Sequence, residues 1–514
     1  MTYNVVTEPW MPILTNKGEW QEMGLRDVIC RAHLLHGVQD PAPTVEFGLY
    51  RLLTALVLDI FAPDNTADLT DLLDAGAFDP VAVDTYFARY ADRFDLFHFQ
   101  FPFLQTGGMT AEAGKPLVGL LPFLPSGTAA SHFYHAPEAE FGVSPAVAAR
   151  LLTMQAPFMT AGGAGLSPSL NGAPPWYVLL SGRNLFETLC LNVPVDPYVP
   201  QGLTDTPPAW RNEQAPTGDR CTQTSLREAL TWRPRRIQLV PGGPGRCTLT
   251  GRETPTLIQT MKFTAGASCA LETWRDPAAA YRLSKDGVLI LRPQEGKAIW
   301  RDTGPLALLH VGRPRLVDQF AELSGSPWWS GQPDLKLTVY GMRTDLKMKV
   351  FEWQRETLSL PVPLIVYGPF GLAAQEAIEN ASAVASGLRV AIKKAYERGG
   401  AGNAQAFDER IEAARRQFWN ALRGEYEAYL LDLAVLSPEG DAPQIAALRA
   451  DWQAVVSRVG REAFEEAIRD LDTDYQTLKR RVEARKEFGK RLFFAFATAE
   501  QRKPKKTKNK ENEK

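Results

Sequence analysis

The stretch Ile445-Ala-Ala-Leu-Arg-Ala-Asp-Trp-Gln-Ala-Val-Val-Ser-Arg-Val459 decides how the C-terminal part of the chain folds. Its large apolar residues Ile445, Leu448, Trp452, Val456 and Val459 stand three or four positions apart, the spacing that gathers side chains on one face of a 3.6-residue turn. Phe464, Ile468 and Leu471 continue the stripe. Upstream, Val384, Leu388, Ile392 and Tyr396 predict a helix stopped by Gly399-Gly400, and Ile411, Phe418, Leu422, Tyr429 and Leu433 predict a second ending before Ser437-Pro438. Downstream, Tyr475, Leu478, Val482, Phe493 and Phe496 mark a fourth. Amphipathic helices joined by short connections pack as antiparallel neighbours, so a four-helix bundle is expected over residues 371–499. Its stripes read as core and not as a metal box: di-metal bundles need His and carboxylates on facing helices, and every His here lies at or before His310.

Working back from Gly371, the chain becomes rich in Pro and Gly with short, mixed segments. Val45 to Ile60 predicts a buried helix stopped by Pro63, and Tyr3 to Leu14 alternates as an initial strand would. Trp176–Leu180, Arg236–Val240, Gly287–Leu291 and Leu335–Tyr340 are apolar or alternating runs bounded by turn formers, hence strands. The fold class expected is α+β, with a large mixed N-terminal domain over residues 1–370, the bundle, and a tail over residues 500–514.

Composition excludes the extreme classes. With 514 residues, 45% hydrophobic and 23% charged, the chain is neither collagenous, nor disordered throughout, nor a disulfide miniprotein. The formal net charge of -2 announces no nucleic-acid partner, so any basic surface must be local. The segment from Gln501 to Lys514 carries seven Lys or Arg against two Glu, a local +5 without apolar residues, and is expected to be disordered. Five scattered cysteines suit a reducing compartment better than a disulfide framework. Met1 to Trp10 lacks the basic and apolar regions of a secretory leader, and the longest apolar run, Leu52 to Ala62, falls short of the ~20 residues of a bilayer span. A soluble cytoplasmic protein is expected.

Catalytic patterns are missing in usable form: no phosphate loop, dinucleotide fingerprint, nucleophile elbow or His-Glu-x-x-His helix occurs. The cluster Gly162-Gly163-Ala164-Gly165 lacks the Lys-Ser/Thr that would follow in a phosphate loop and reads, by composition, as a flexible turn. His98, His132 and His135 are the candidate histidines of the first domain, but a metal would need further converging ligands. Cys247 and Cys269 also fall short of the four ligands of a closed zinc site, because Thr250 stands where a Cys-x-x-Cys pair needs its second thiol. Dispersed carboxylates suggest no acid–base pair. The residues alone therefore describe a non-enzyme without cofactors. Two rivals stay open: a stand-alone enzyme with its site near Gly162–Gly165, and a helical adaptor without nucleic-acid contact.

Six ordered elements together resemble the large subunit, of the CasA type, of the type I-E CRISPR surveillance complex Cascade. They are Thr7-Glu-Pro-Trp-Met-Pro-Ile13, Phe97-His-Phe-Gln-Phe-Pro-Phe-Leu-Gln-Thr106, Gln155-Ala-Pro157 with its glycine cluster, Leu189-Cys-Leu-Asn-Val193, Thr231-Trp-Arg-Pro234 and Met261-Lys-Phe-Thr264. The resemblance spans most of the chain and includes the C-terminal bundle. It implies a subunit that reads a short duplex motif beside the target while a guide RNA reads the target by base pairing.

The same resemblance distributes roles. Gly162, Gly163 and Gly165 match the family's glycine loop, whose bare main chain can approach base edges in the minor groove, and Lys262 matches a lysine projecting into that groove. The strand-separating wedge falls within Tyr340-Gly-Met-Arg-Thr-Asp-Leu-Lys-Met348, where the family's Asn-Gln pair is replaced and Asp345, Leu346 or Lys347 stands nearest; a β-turn is the equal alternative. Phe133, Tyr134 and His135 match a loop that touches guide RNA and neighbouring subunits. Implied partners are double-stranded target DNA, the guide RNA, the other Cascade subunits and a helicase-nuclease, with the bundle packing on neighbours and guiding displaced strand.

Overall fold

The helix Pro43–Phe61 is predominantly apolar and is buried without a break from Thr44 to Leu58, so it forms the spine of the first unit. Pro43 suits its first turn, where a missing N–H costs nothing, and Ala62 closes it in the left-handed conformation at φ 42°. Two charges on this spine are buried and answered. Arg51 donates from Nη1 to Asp276 Oδ1 at 3.0 Å, and Glu46 accepts from Arg355 Nε at 2.8 Å and from the Tyr340 hydroxyl. Buried ionic groups contribute little net stability, but they penalise every packing that leaves them unanswered.

The structure, a computed structural model, describes residues 1–110, 114–121, 141–162, 165–270, 274–285, 287–344, 350–396, 404–437, 441–471 and 473–497. The chain divides into two compact units, Met1–Val362 and Pro363–Lys514. Small sheets surround the spine of the first unit, which makes the fold α+β as the sequence leads one to expect. Met11–Thr15 lies between Trp20–Met23 and Leu35–Val38. Ile258–Ala265 lies between Lys115–Pro116 and Arg235–Pro241. The long strand Asp334–Thr344 lies between Tyr177–Ser181 and Val350–Pro361, and all these pairings are antiparallel.

The expected strand over Tyr3–Leu14 is shorter and later. Residues before Met11 turn instead, with Trp10 Nε1 donating to Val5 O at 2.8 Å, because Pro9 removes a ladder donor where the strand would have continued. The other predicted strands appear with small shifts, as Tyr177–Ser181, Arg235–Pro241, Gly287–Ile290 and Asp334–Thr344.

The second unit contains helices Gly368–Tyr396, Ala404–Ala434, Asp441–Ala467 and Tyr475–Phe496. Val384, Leu388, Ile392, Phe418, Leu422, Leu433, Trp452 and Val456 are all buried, and Trp452 Nε1 donates to Ala377 O at 2.9 Å across the bundle. The fourth helix differs from expectation. Tyr475 is 77% exposed and Leu478, Val482 and Phe493 also face solvent, while Thr477, Ala484, Phe488, Leu492 and Ala495 are buried. Close approach explains the choice. A Cβ on Gly387 would stand 2.9 Å from Arg491 Cβ, and one on Gly460 would stand 3.3 Å from Phe488 Cζ, so the helix turns its small residues and one ring inward. No described helix is long and apolar enough to cross a membrane.

Candidate nucleic-acid interface

The strands Lys115–Pro116, Arg235–Pro241 and Ile258–Ala265 carry four cations, Lys115, Arg235, Arg236 and Lys262, and no carboxylate. In a chain of net charge -2 this concentrates positive potential on one small sheet. Strand alternation sorts the side chains. Ile237 and Leu239 pair with Phe263 and Met261 on the inner face, whereas Arg236 and Gln238 pair with Thr264 and Lys262 on the more open one.

Lys262 is half-buried, and its ammonium donates to Met109 O at 2.5 Å. Met109 N in turn donates to Gln238 Oε1 at 3.1 Å, which ties the segment over the sheet. An ammonium has three donors, so this contact leaves further capacity for acceptors on a ligand.

The glycine segment adjoins the Ala265 end of the same sheet. Gly162 N donates to Leu166 O at 3.1 Å, and Ser167 Oγ donates to Ser268 Oγ at 2.9 Å, just past the strand that carries Lys262. Gly165 adopts φ +77°, which disfavours any side chain, and a Cβ there would meet nothing within 4 Å, so its main chain is open to a partner. Gly162 is glycine for a different reason: a Cβ would stand 2.9 Å from Leu166 Cδ1 and 3.1 Å from Arg235 Nη2. Gly163 lies outside the described residues. The structure thus links Gly162, Gly165 and Lys262 through one sheet, with Lys262 on its open face and the segment at its end.

Asp345, Leu346 and Lys347 lie outside the described residues, but the hairpin that leads to them is long and firmly rooted. Its register runs from Asp334 opposite Pro361 to Thr344 opposite Val350. Midway along it Tyr340 and Arg355 share Glu46, whose carboxyl burial pushes up from its ordinary range against the opposing pull of those two partners. Gly341 leaves room there for the Trp176 indole. Nearer the tip Phe351 is exposed, with the Arg343 guanidinium 4.7 Å from its ring centre.

Phe133, Tyr134 and His135 also lie outside the described residues, as does His132. His98 is occupied structurally: its Nδ1 accepts from Phe101 N at 2.9 Å, and the two rings stack. Cys269 does not pair with Cys247; its thiol sits 2.7 Å from that of Cys221 across a short parallel ladder. Burial and the neighbouring Cys221 push the Cys269 thiol up. Cys247 is buried, and although burial alone would raise it, hydrogen bonds from the Thr250 side chain and nearby main chain bring its thiol below the ordinary value. Among the described residues no group of three or more His, Cys, Asp or Glu could hold a metal ion. A cavity of about 180 Å³ is lined by Asn212, Asp219, Cys221, Glu228 and Arg233 among others, not by the glycine segment.

Sequence reasoning missed Arg235 and Phe351. Arg235 begins an alternating strand at an inward position, where a charged residue is uncommon, and that is the signal that could have drawn attention to it. Phe351 carries no such signal.

Comparison with known proteins adds an independent observation. The model of the family described as CRISPR-associated protein Cse1 matches residues 4–463. The CasA/Cse1 protein of Thermus thermophilus is 28% identical over an alignment 521 positions long, covering 95% of this chain and 97% of that protein. A crystal structure of Thermus thermophilus CasA superposes with a TM-score of 0.76 at 25% identity, covering 96% and 99% of the two chains. A chain of a CRISPR RNA-guided surveillance complex shares the fold at a TM-score of 0.79 and 20% identity, covering 95% and 99%. Thermobifida fusca Cse1 does so at 0.74 and 23%, covering 96% and 98%.

Proposed function

The chain belongs to the CRISPR-associated Cse1 family, and from that premise we propose that it is the non-catalytic subunit of an RNA-guided surveillance complex that recognises a short duplex motif beside the target. The observation that carries this reading is the sheet bearing Lys262: four cations, no carboxylate, and a glycine main chain open to solvent at its edge. Cations attract the phosphate backbone without regard to sequence. Main-chain groups and one ammonium suit the minor groove, which is only ~6 Å wide and offers a degenerate acceptor pattern. Such a site discriminates coarsely. The guide RNA then supplies sequence by pairing, which is the division of labour this class of complex uses.

Opening the duplex is assigned to the hairpin Asp334–Thr344/Val350–Pro361. Unstacking a base step costs a few kcal/mol, so the element that forces it must not yield. Tyr340 and Arg355, midway along the hairpin, tie both of its strands to the buried Glu46 and brace it against that load. The wedge residues are Asp345, Leu346 and Lys347 by position, and the guide RNA contact is Phe133-Tyr134-His135. The remaining partners are the other subunits of the complex and a helicase-nuclease drawn to the opened target.

The test is an electrophoretic shift with the reconstituted complex, with and without this subunit, on duplexes carrying the motif or a scrambled one. Its inclusion should tighten binding of the motif-bearing duplex by about 10³-fold or more relative to the scrambled one at moderate salt. Equal binding of both duplexes would end the reading.

A further inference from the structure

Arg235 is 1% exposed, and all its hydrogen-bond acceptors are main-chain carbonyls. Nη2 donates to Thr160 O at 2.8 Å, and Nη1 donates to Ser167 O and to Pro234 O, the latter at 2.9 Å. Thr160 and Ser167 stand on either side of the glycine segment. One guanidinium therefore holds both ends of a stretch whose glycines have the most backbone freedom to lose. Only arginine does this readily, since its planar fork presents several donors in fixed directions while an ammonium on a flexible stem is a point charge. The same Nη2 stands 3.1 Å from where a Gly162 Cβ would be, so loop and side chain are fitted to each other. Arg235 is itself paired with Ala265, at the end of the strand that carries Lys262.

We propose that Arg235 is the positioning residue of the motif-reading site: its guanidinium clamps the Thr160 and Ser167 carbonyls and thereby sets the main chain of Gly162 and Gly165 against the sheet that carries Lys262. Burial draws the guanidinium down to about 10, still far above neutrality, so the clamp is a permanent charge that no carboxylate among the described residues pairs with. It adds to the field of the sheet while fixing the segment's shape. Nothing in the clamp touches DNA; it acts through the glycines. The inference rests on the function proposed above.

The experiment compares R235M, which keeps length but loses donors and charge, with R235K, which keeps charge but loses the fork. Each is assembled into the full complex. The readouts are the ratio of affinities for motif-bearing and scrambled duplexes, and hydrogen exchange at the Gly162 amide. R235M should lower the ratio by about tenfold, the cost of one misread base pair. R235K should lower it nearly as far, because one ammonium cannot span both carbonyls. Scrambled-duplex affinity should hold for R235K, and Gly162 exchange should accelerate in both variants. A merely structural residue would weaken both affinities together with assembly and leave the ratio alone. If R235M does not assemble, R235K decides by itself. An unchanged ratio in assembled R235K, with G165V and K262A losing discrimination, overturns the clamp alone. An unchanged ratio in all of them overturns the proposed motif reader as well.

Discussion

The bundle and the sheet that carries Lys262 are both rich in cations, and they answer them in opposite ways. On the bundle, Arg423 meets Glu427 at 3.2 Å, Arg458 meets Glu425 at 3.0 Å, Arg485 meets Glu465 at 2.6 Å and Arg491 meets Glu487 at 2.8 Å. On the sheet the acceptors are carbonyl oxygens: Met109 O for Lys262, Ala265 O for Arg236, and Thr160, Pro234 and Ser167 O for Arg235. A carbonyl satisfies a donor without cancelling its charge. These four cations of the bundle are thus locally neutralised, whereas those of the sheet keep their field for an approaching polyanion. A count of charges over the chain hides this difference, since both regions contribute to a total near zero.

The contrast can be broken at several points. The largest effect is expected from F488A. Phe488 is 3% exposed, stacks on Phe464 with ring centres 5.0 Å apart and fits against Gly460, so truncation should destabilise the bundle by about 3–5 kcal/mol. Denaturant unfolding of the isolated chain would measure it. Motif discrimination by complex that still assembles should not change. K262A comes next: affinity for motif-bearing duplex should fall by about tenfold, the scale of one minor-groove base contact, with unfolding free energy nearly unchanged because the side chain is only half-buried. Titration of the complex with labelled duplex would show it. The smallest effect is expected from R458A, where an exposed cation leaves exposed carboxylates: within about 0.5 kcal/mol in stability and no change in discrimination. If R458A cost as much discrimination as K262A, the distinction between cations answered by carboxylates and cations answered by carbonyls would collapse.

Legibility followed the length of each pattern. Helices of the bundle could be placed from periodicity because each runs for 22 residues or more, long enough for a stripe to repeat. Even so, the fourth helix carries two candidate faces, and the one with Tyr475, Leu478 and Val482 lost to one built from Thr477, Ala484, Phe488, Leu492 and Ala495. Hydrophobicity ranks faces by transfer free energy. The packed state ranks them by fit, and Gly387 and Gly460 make room for the Arg491 Cβ and the Phe488 ring to approach closely. In the first unit the strand positions were readable, but not the partners: Lys115–Pro116 is too short to show alternation, and the pairing of Cys269 with Cys221 spans 48 positions of chain. The candidate site was legible in its parts, as glycines and a lysine, because a missing side chain and an ammonium can be read one residue at a time.

What the amino-acid order determined by itself is local: where helices start and stop, which residues lack side chains, where donors and charges occur, and the family those choices resemble. Tertiary structure alone decided which charges are answered by partners distant in the chain, as Arg458 is by Glu425 and Lys262 by Met109 O. It alone chose the buried face of the last helix, and it alone brought Arg235 to the two ends of a glycine segment, 75 and 68 positions away along the chain. The reason is physical. Propensity and period act over one or two turns, whereas electrostatic partners and close packing depend on distances in space that no local rule encodes.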